Sequence, residues 1–126
     1  MARIFLGLSA MVWLPYGIYC LLEPGSLDAA AGVAFRSPTG STELRAMYGG
    51  LQAAIGTLAA LAVVRGALVR TALLMIGFLT AGLASARLFG TALDGGFSSY
   101  TASALAFEIP SALIAWWLLR RRAAAR

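Results

Sequence analysis

Residues 71–93, TALLMIGFLTAGLASARLFGTAL, form a long apolar segment in which Arg87 is the single charged residue. An α-helix needs about 20 consecutive, mostly apolar residues to cross a hydrocarbon core of roughly 30 Å, and this stretch is long enough. Its apolar residues form a continuous run and do not alternate with polar ones, which favours a helix over a strand of a membrane barrel. The stretch therefore predicts a membrane-spanning α-helix.

Three further apolar runs of similar length lie at about residues 4–22, 44–64 and 100–119. The chain has 126 residues and is 60% apolar, above the roughly 45–50% of soluble domains. So short a chain has too little interior to bury that much apolar surface in water. We therefore predict an all-α integral membrane protein. It is expected to be an antiparallel four-helix bundle, to form one domain over residues 1–126 and to face the lipid bilayer.

Residues 4–22 could alternatively belong to a signal peptide, with Arg3 before the run and residues 29–31 as the cleavage site. The run is longer than the usual ~7–15 apolar residues of such a segment, and it contains Pro15. We therefore expect the run to be kept as the first helix.

The connections between the runs are short except for the loop at residues 23–40, which is expected on the periplasmic side. The weakly apolar middle of this loop predicts a short helix lying on the membrane surface. Ser41 or Thr42 can cap the second helix, and Ser98 or Ser99 can cap the fourth. In each case a hydroxyl would accept a hydrogen bond from a free N–H group of the first helical turn.

The charges are distributed unevenly about the predicted helices. The net charge is +5 and every basic residue is an arginine. Four acidic residues and Arg36 lie in the loops at one set of helix ends; the other set carries Arg3, Arg65, Arg70, Arg120, Arg121, Arg122 and Arg126. The positive-inside rule then predicts a protein of the bacterial inner membrane with both termini in the cytoplasm. The arginines are not grouped with aromatic residues on a polar domain, so the charge does not predict nucleic-acid binding.

Residues that commonly hold metals and cofactors are scarce. The sequence has no histidine, and its single cysteine, Cys20, allows neither an internal disulfide nor a Cys-x-x-Cys pair. We accordingly predict no metal and no cofactor, and we assign no catalytic residue.

Small residues recur at four-residue spacing in the second and third helices. In a membrane such residues let helix backbones approach closely, and contact replaces the hydrophobic drive that lipid cannot supply. The same residues could also serve a homodimer or another membrane-protein partner. The glycines predicted to pack helices are Gly49, Gly50, Gly56, Gly77, Gly82 and Gly90.

Three ionisable residues, Arg45, Arg87 and Glu108, lie inside the predicted spans. Counted from the outer ends of their helices, Arg87 lies about 9 Å deep and Glu108 about 12 Å deep. Charges inside a membrane are costly, and they usually face the protein interior and pair. We therefore predict an Arg87–Glu108 pair between the third and fourth helices.

A polar face is predicted on the second helix, where Arg45, Tyr48 and Gln52 follow at i, i+3 and i+7. We expect this face to turn toward Arg87 and Glu108, and to form with Tyr16 and Tyr100 a polar pocket that opens to the periplasm. Three uses of these residues stay open. They could be purely structural, they could bind a small anionic or lipid-like ligand, or Glu108 and Tyr48 could act as base and acid.

The segment ELRAMYGGLQAAIG at residues 43–56, together with residues 87, 94–95 and 108, resembles an uncharacterised bacterial family of small four-helix membrane proteins. The resemblance covers essentially the whole chain and rests chiefly on the Arg-Ala-x-Tyr-Gly-Gly motif. It extends more loosely to the DoxX-like four-helix membrane proteins. It implies the fold and the inner-membrane location, but no activity. The residues that match the pattern are Arg45, Tyr48, Gly49, Gly50, Arg87 and Glu108.

The sequence thus favours a non-enzymatic binding or accessory protein. The alternatives are a small membrane enzyme or redox accessory acting on a lipid-soluble substrate, and a structural subunit of a larger membrane complex.

Overall fold

The computed structural model describes residues 1–124 and is all-helical over that range, which confirms the predicted fold class. Arg126, counted above among the arginines, lies outside the described residues. The elements in chain order are α1 (Ala2–Leu22), α2 (Ser26–Ala31), α3 (Pro38–Leu44), a π-helical segment (Arg45–Gly50), α4 (Leu51–Val64), a 3₁₀ turn (Gly66–Leu68), α5 (Val69–Asp94) and α6 (Ser99–Ala124).

Four helical runs have the length and composition to cross a membrane: Ala2–Leu22, Pro38–Val64, Gly66–Asp94 and Ser99–Ala124. Many large apolar side chains on them are exposed, among them Met11 at 74%. Water would oppose such exposure, whereas lipid is as apolar as these side chains and removes the penalty. The four runs indicate a multi-pass membrane protein.

The second run begins earlier than its hydropathy indicates. Pro38 occupies its first turn, and the Ser37 hydroxyl accepts a hydrogen bond of 3.0 Å from the Gly40 N–H group. Ser37 is therefore the cap, and the prediction of Ser41 or Thr42 was wrong. The first turns are polar, so hydropathy does not detect them, whereas serine before proline is a favoured helix start.

The loop before this run is correspondingly shorter than residues 23–40. It contains α2, whose Leu27 is buried. The chain leaves α2 at Gly32, which has a φ of 69°, a left-handed conformation that glycine adopts at little cost.

Residues 1–69 form one compact unit, in which α1 packs against the π segment and α4. Gly17 of α1 lies against Ala53, and Gly56 of α4 lies against Leu14. The residue numbers of these contacts fall along α1, from 17 to 14, as they rise along α4, from 53 to 56, so the two helices are antiparallel. Glycine is needed at these positions because a Cβ on Gly56 would lie 2.7 Å from the Leu14 Cα atom.

Residues 70–126 form the second unit, of which 70–124 are described. It contains nearly all of α5, and α6, which starts after a break at Gly95, where φ is 67°. Ser98 caps α6, because its hydroxyl accepts a hydrogen bond of 3.1 Å from the Thr101 N–H group. A Cβ on Gly77 would lie 3.2 Å from the Trp116 ring, so α5 and α6 are in close contact there. The combination of both units in one four-helix bundle stays a prediction.

Candidate functional site

The motif RAMYGG at residues Arg45–Gly50 forms a π-helical segment between α3 and α4. A π-helix closes its hydrogen bonds from i to i+5, one residue more per turn than an α-helix. The adjacent glycines Gly49 and Gly50 weaken the preference for regular α geometry. Single π turns inside α-helices occur frequently at functional sites. The side chains of this segment are therefore candidates for a functional site.

Arg45 is half-buried and reaches across to the C-terminal end of α1. Its Nη1 atom donates to the carbonyl of Leu21 and, at 3.2 Å, to the carbonyl of Leu22. The last carbonyls of an α-helix have no partner within the helix and carry its negative dipole end, so a guanidinium is favourable there. Within residues 1–124, no carboxylate lies at ion-pair distance from Arg45.

Gly49 explains why Arg45 can reach α1. A Cβ at this position would lie 2.7 Å from the Leu21 Cα atom, closer than real side chains come to a neighbouring backbone. The absence of a side chain thus brings the π segment against the last turn of α1. Gly50 is different: it is exposed, and a Cβ there would meet at its nearest the Arg45 carbonyl oxygen of the same segment, at 3.8 Å.

Tyr48 is half-buried and Gln52 is buried, with 9% of its surface exposed. The Gln52 Oε1 atom is buried and has no hydrogen-bond partner in the part of the chain that the structure describes. A buried polar oxygen without a partner carries a desolvation cost of roughly 1–3 kcal/mol. The predicted polar face of Arg45, Tyr48 and Gln52 assumed an α-helix with 3.6 residues per turn. The π segment has more residues per turn, so the i, i+3, i+7 spacing does not by itself place these side chains on one face.

Arg87 and Glu108 form a bidentate ion pair between α5 and α6. The Arg87 Nη2 atom lies 2.9 Å from Oε1 of Glu108, and Nε lies 3.2 Å from Oε2. The Glu108 side chain is only 5% exposed and that of Arg87 25%. The Arg87 guanidinium also lies 5.5 Å from the centre of the Tyr100 ring. Such two-point contacts are geometrically specific, so the pair orients α5 against α6.

The remaining candidate residues are Tyr16 and two glycines of α5. Tyr16 lies on α1 and hydrogen-bonds the Cys20 thiol one turn further on. A Cβ on Gly82 or Gly90 would meet no atom within 4 Å, so neither glycine closes a helix contact of the kind that Gly77 makes. The single pocket that would combine Arg45 with Arg87 and Glu108 stays a prediction.

Two features escaped sequence reasoning. One is the π segment, for which the adjacent glycines inside an apolar helix are the signal. The other is a stacked pair on α6, in which the Arg121 guanidinium lies 4.1 Å from the centre of the Trp117 ring. Their four-residue spacing on a helix could have revealed this contact.

Over residues 1–124, no group of three histidine, cysteine, aspartate or glutamate side chains could hold a metal ion. The chain matches no curated protein and no solved structure. A family model described as a domain of unknown function matches most of the chain, which confirms the resemblance to an uncharacterised family. With residues 1–119 matched, the chain belongs to the family Domain of unknown function (DUF4345).

Proposed function

We propose that this chain is a non-enzymatic binding or accessory protein of the bacterial inner membrane, which holds a small anionic or lipid-like ligand beside Arg45. Seven arginines at one set of helix ends, against Arg36 and four acidic residues at the other, support cytoplasmic termini. Arg45 then belongs to the periplasmic end of the second span.

The observation that carries this proposal is the charge on Arg45. Arg87 is neutralised by Glu108, whereas the hydrogen bonds of Arg45 within residues 1–124 run from one nitrogen to the Leu21 and Leu22 carbonyls. A charge inside a span is costly, less so near its end than at its centre, and ionisable residues that are kept there commonly mark ligand or ion pathways. The other guanidinium nitrogens can donate to a carboxylate, a phosphate or a carbonyl oxygen.

Two neighbours on the same helical run supply complementary groups. The Tyr48 hydroxyl can donate or accept a hydrogen bond. The buried Gln52 Oε1 atom can accept from a ligand donor, which would relieve its lack of a partner among the described residues. The ligand class that fits is a lipid-soluble molecule with an acidic or carbonyl group and a separate hydrogen-bond donor.

The catalytic alternative fits the pair geometry less well. A general base needs a carboxylate oxygen that can approach a substrate proton. Both oxygens of Glu108 are engaged by Arg87. The contact favours a role for Glu108 in helix docking.

A structural subunit is the second candidate, favoured by one observation. Gly82 and Gly90 leave open space on α5 where a Cβ would meet nothing. Small residues on a membrane helix are the usual contact surface for another helix. This role predicts loss of the chain from membranes when its partner is deleted.

The test is native mass spectrometry of the protein released gently from its own membranes. The proposal predicts a reproducible extra mass of small-molecule size, which Arg45→Gln loses. Arg36→Gln is the matched control, because it removes the same charge from an exposed position in the loop before α3. Arg45→Lys keeps the charge but cannot make a forked contact, so partial retention of the mass is expected.

Because Arg45 also caps α1, each variant needs a melting curve. Retained folding with loss of the extra mass supports the proposal. A bare protein in every variant, including the unsubstituted chain, contradicts it. A co-released protein in place of a small molecule would favour the subunit role.

A further inference from the structure

We propose that the arginine end of the α5–α6 hairpin binds the phosphate of an anionic phospholipid headgroup, with Arg121 as the contact residue and Trp117 as its positioning residue. The arginine end is defined by Arg70, Arg120, Arg121 and Arg122. This inference goes beyond the Arg45 site and involves a different ligand.

The antiparallel packing of the hairpin brings these arginines to one end. Gly77 contacts Trp116, and Arg87 pairs with Glu108, so α5 ascends as α6 descends. Arg70 lies about two helical turns before Gly77, and Arg122 lies nearly as far beyond Trp116. The start of α5 and the end of α6 therefore lie at the same level.

No acidic residue among those that the structure describes neutralises this end. The sequence has no aspartate or glutamate between Glu43 and Asp94, and none after Glu108. Within residues 1–124, none of the four arginines forms an ion pair. The described residues thus supply no counter-charge to this end, and phosphate is the anion that membranes present at this depth.

Arg121 is the arginine that the structure holds in place. Its guanidinium lies 4.1 Å from the centre of the Trp117 ring, within cation–π range. The Trp117 side chain is 44% exposed, whereas its neighbour Trp116 packs edge-on against Phe78 at 4.8 Å. Stacking restricts the guanidinium but leaves its planar N–H groups free to make two-point contacts with phosphate.

The face that carries Arg121 has the polarity profile of a lipid. Leu113, Trp117 and Arg121 follow at four-residue spacing, so they lie one above the other on one side of α6. Leu113 is 66% exposed. An apolar, an aromatic and a cationic side chain therefore succeed one another over about 12 Å. A phospholipid presents its acyl chain, its interfacial region and its headgroup in the same order. A free phosphate would contact only the cationic side chain.

The experiment measures lipid retention by native mass spectrometry, with phosphatidylglycerol and phosphatidylcholine titrated separately onto the detergent-purified chain. We expect tighter retention of phosphatidylglycerol, and Arg121→Gln should weaken it about fivefold, the effect of one arginine near an anionic surface. Arg36→Gln, the same change in charge at an exposed loop position, should leave retention unchanged.

Trp117 is tested through its effect on Arg121. Trp117→Leu should weaken phosphatidylglycerol retention about twofold to threefold, Trp117→Tyr should restore it, and Trp117→Leu should add nothing to Arg121→Gln. Equal retention of both lipids, or equal effects of Arg121→Gln and Arg36→Gln, would refute the site. Displacement of the lipid by millimolar inorganic phosphate would make it a free-anion site and overturn the proposal as well.

The Arg45→Gln variant separates this inference from the proposed function. It should lose the small-molecule mass but retain phosphatidylglycerol as the unsubstituted chain does. Loss of phosphatidylglycerol in Arg45→Gln, with normal retention in Arg121→Gln, would refute the lipid site at the arginine end.

Discussion

The contact between α1 and the second helical run depends on glycines, and Gly56→Ala is the most direct test of it. A Cβ on Gly56 would lie 2.7 Å from the Leu14 Cα atom, whereas ordinary contacts begin at 3.4 Å. Backbone atoms cannot rotate aside, so the two helices must separate by about 0.7 Å or more.

The cost follows from that displacement. A gap of roughly 0.5–1 Å forfeits a quarter to a half of the dispersion energy of the atom pairs it opens. Overpacking of this kind costs about 1–3 kcal/mol, whereas the better helix propensity of alanine returns at most about 1 kcal/mol. Net of that gain, we expect Gly56→Ala to lower the free energy of unfolding by up to about 3 kcal/mol, and to be roughly 1–3 kcal/mol less stable than a glycine-to-alanine control without the clash.

The assay is reversible unfolding in mixed detergent micelles, followed by circular dichroism. Gly82→Ala is the matched control, because it is the same change within a long helix, and a Cβ there meets no atom within 4 Å. It should leave stability unchanged or raise it by up to about 1 kcal/mol. A Gly49→Ala/Gly56→Ala double variant should lose less than the sum of the single losses, because the first Cβ already separates the helices. A Gly56→Ala variant as stable as Gly82→Ala would refute the close contact.

Two other predictions concern polar side chains. Glu108→Gln should lower the free energy of unfolding by about 2–4 kcal/mol because it leaves the Arg87 charge without its partner, while Arg87→Met/Glu108→Leu should cost less than either single change. Strictly additive losses in thermal unfolding would contradict the pair. Gln52→Leu removes a buried oxygen that has no partner in the described chain. It should therefore stabilise the ligand-free protein by roughly 1 kcal/mol and raise its melting temperature. A lower melting temperature would show that this oxygen is satisfied in the folded protein.

Local sequence was sufficient for much of the fold. Four continuous apolar runs predict four membrane-length helices because only a helix satisfies every backbone group within one segment in lipid. The stop at Gly95 and the Ser98 cap also follow from local chemistry. The start of the second run was misplaced because Ser37 and Pro38 act through hydrogen bonding and fixed φ, to which hydropathy is insensitive.

The candidate site was only partly within reach of the sequence. Arg87 and Glu108 could be matched by depth because both lie on helices joined by a short loop. Arg45 could be singled out as a charge in a span, but its partners, Leu21 and Leu22, are backbone carbonyls, which no residue type reveals. The π segment that carries Arg45 could not be predicted from hydrophobic periodicity either, because periodicity assumes 3.6 residues per turn.

The helical class, the approximate spans and the asymmetry of arginines about them follow from the amino-acid pattern, because each depends on the transfer of side chains between water and lipid. The packing of the folded chain is needed to see which glycines close a helix contact, where Arg45 donates its hydrogen bonds and that Arg121 stacks on Trp117. Those outcomes depend on which atoms of separate turns or helices come within about 4 Å of each other, and that distance is a property of packing.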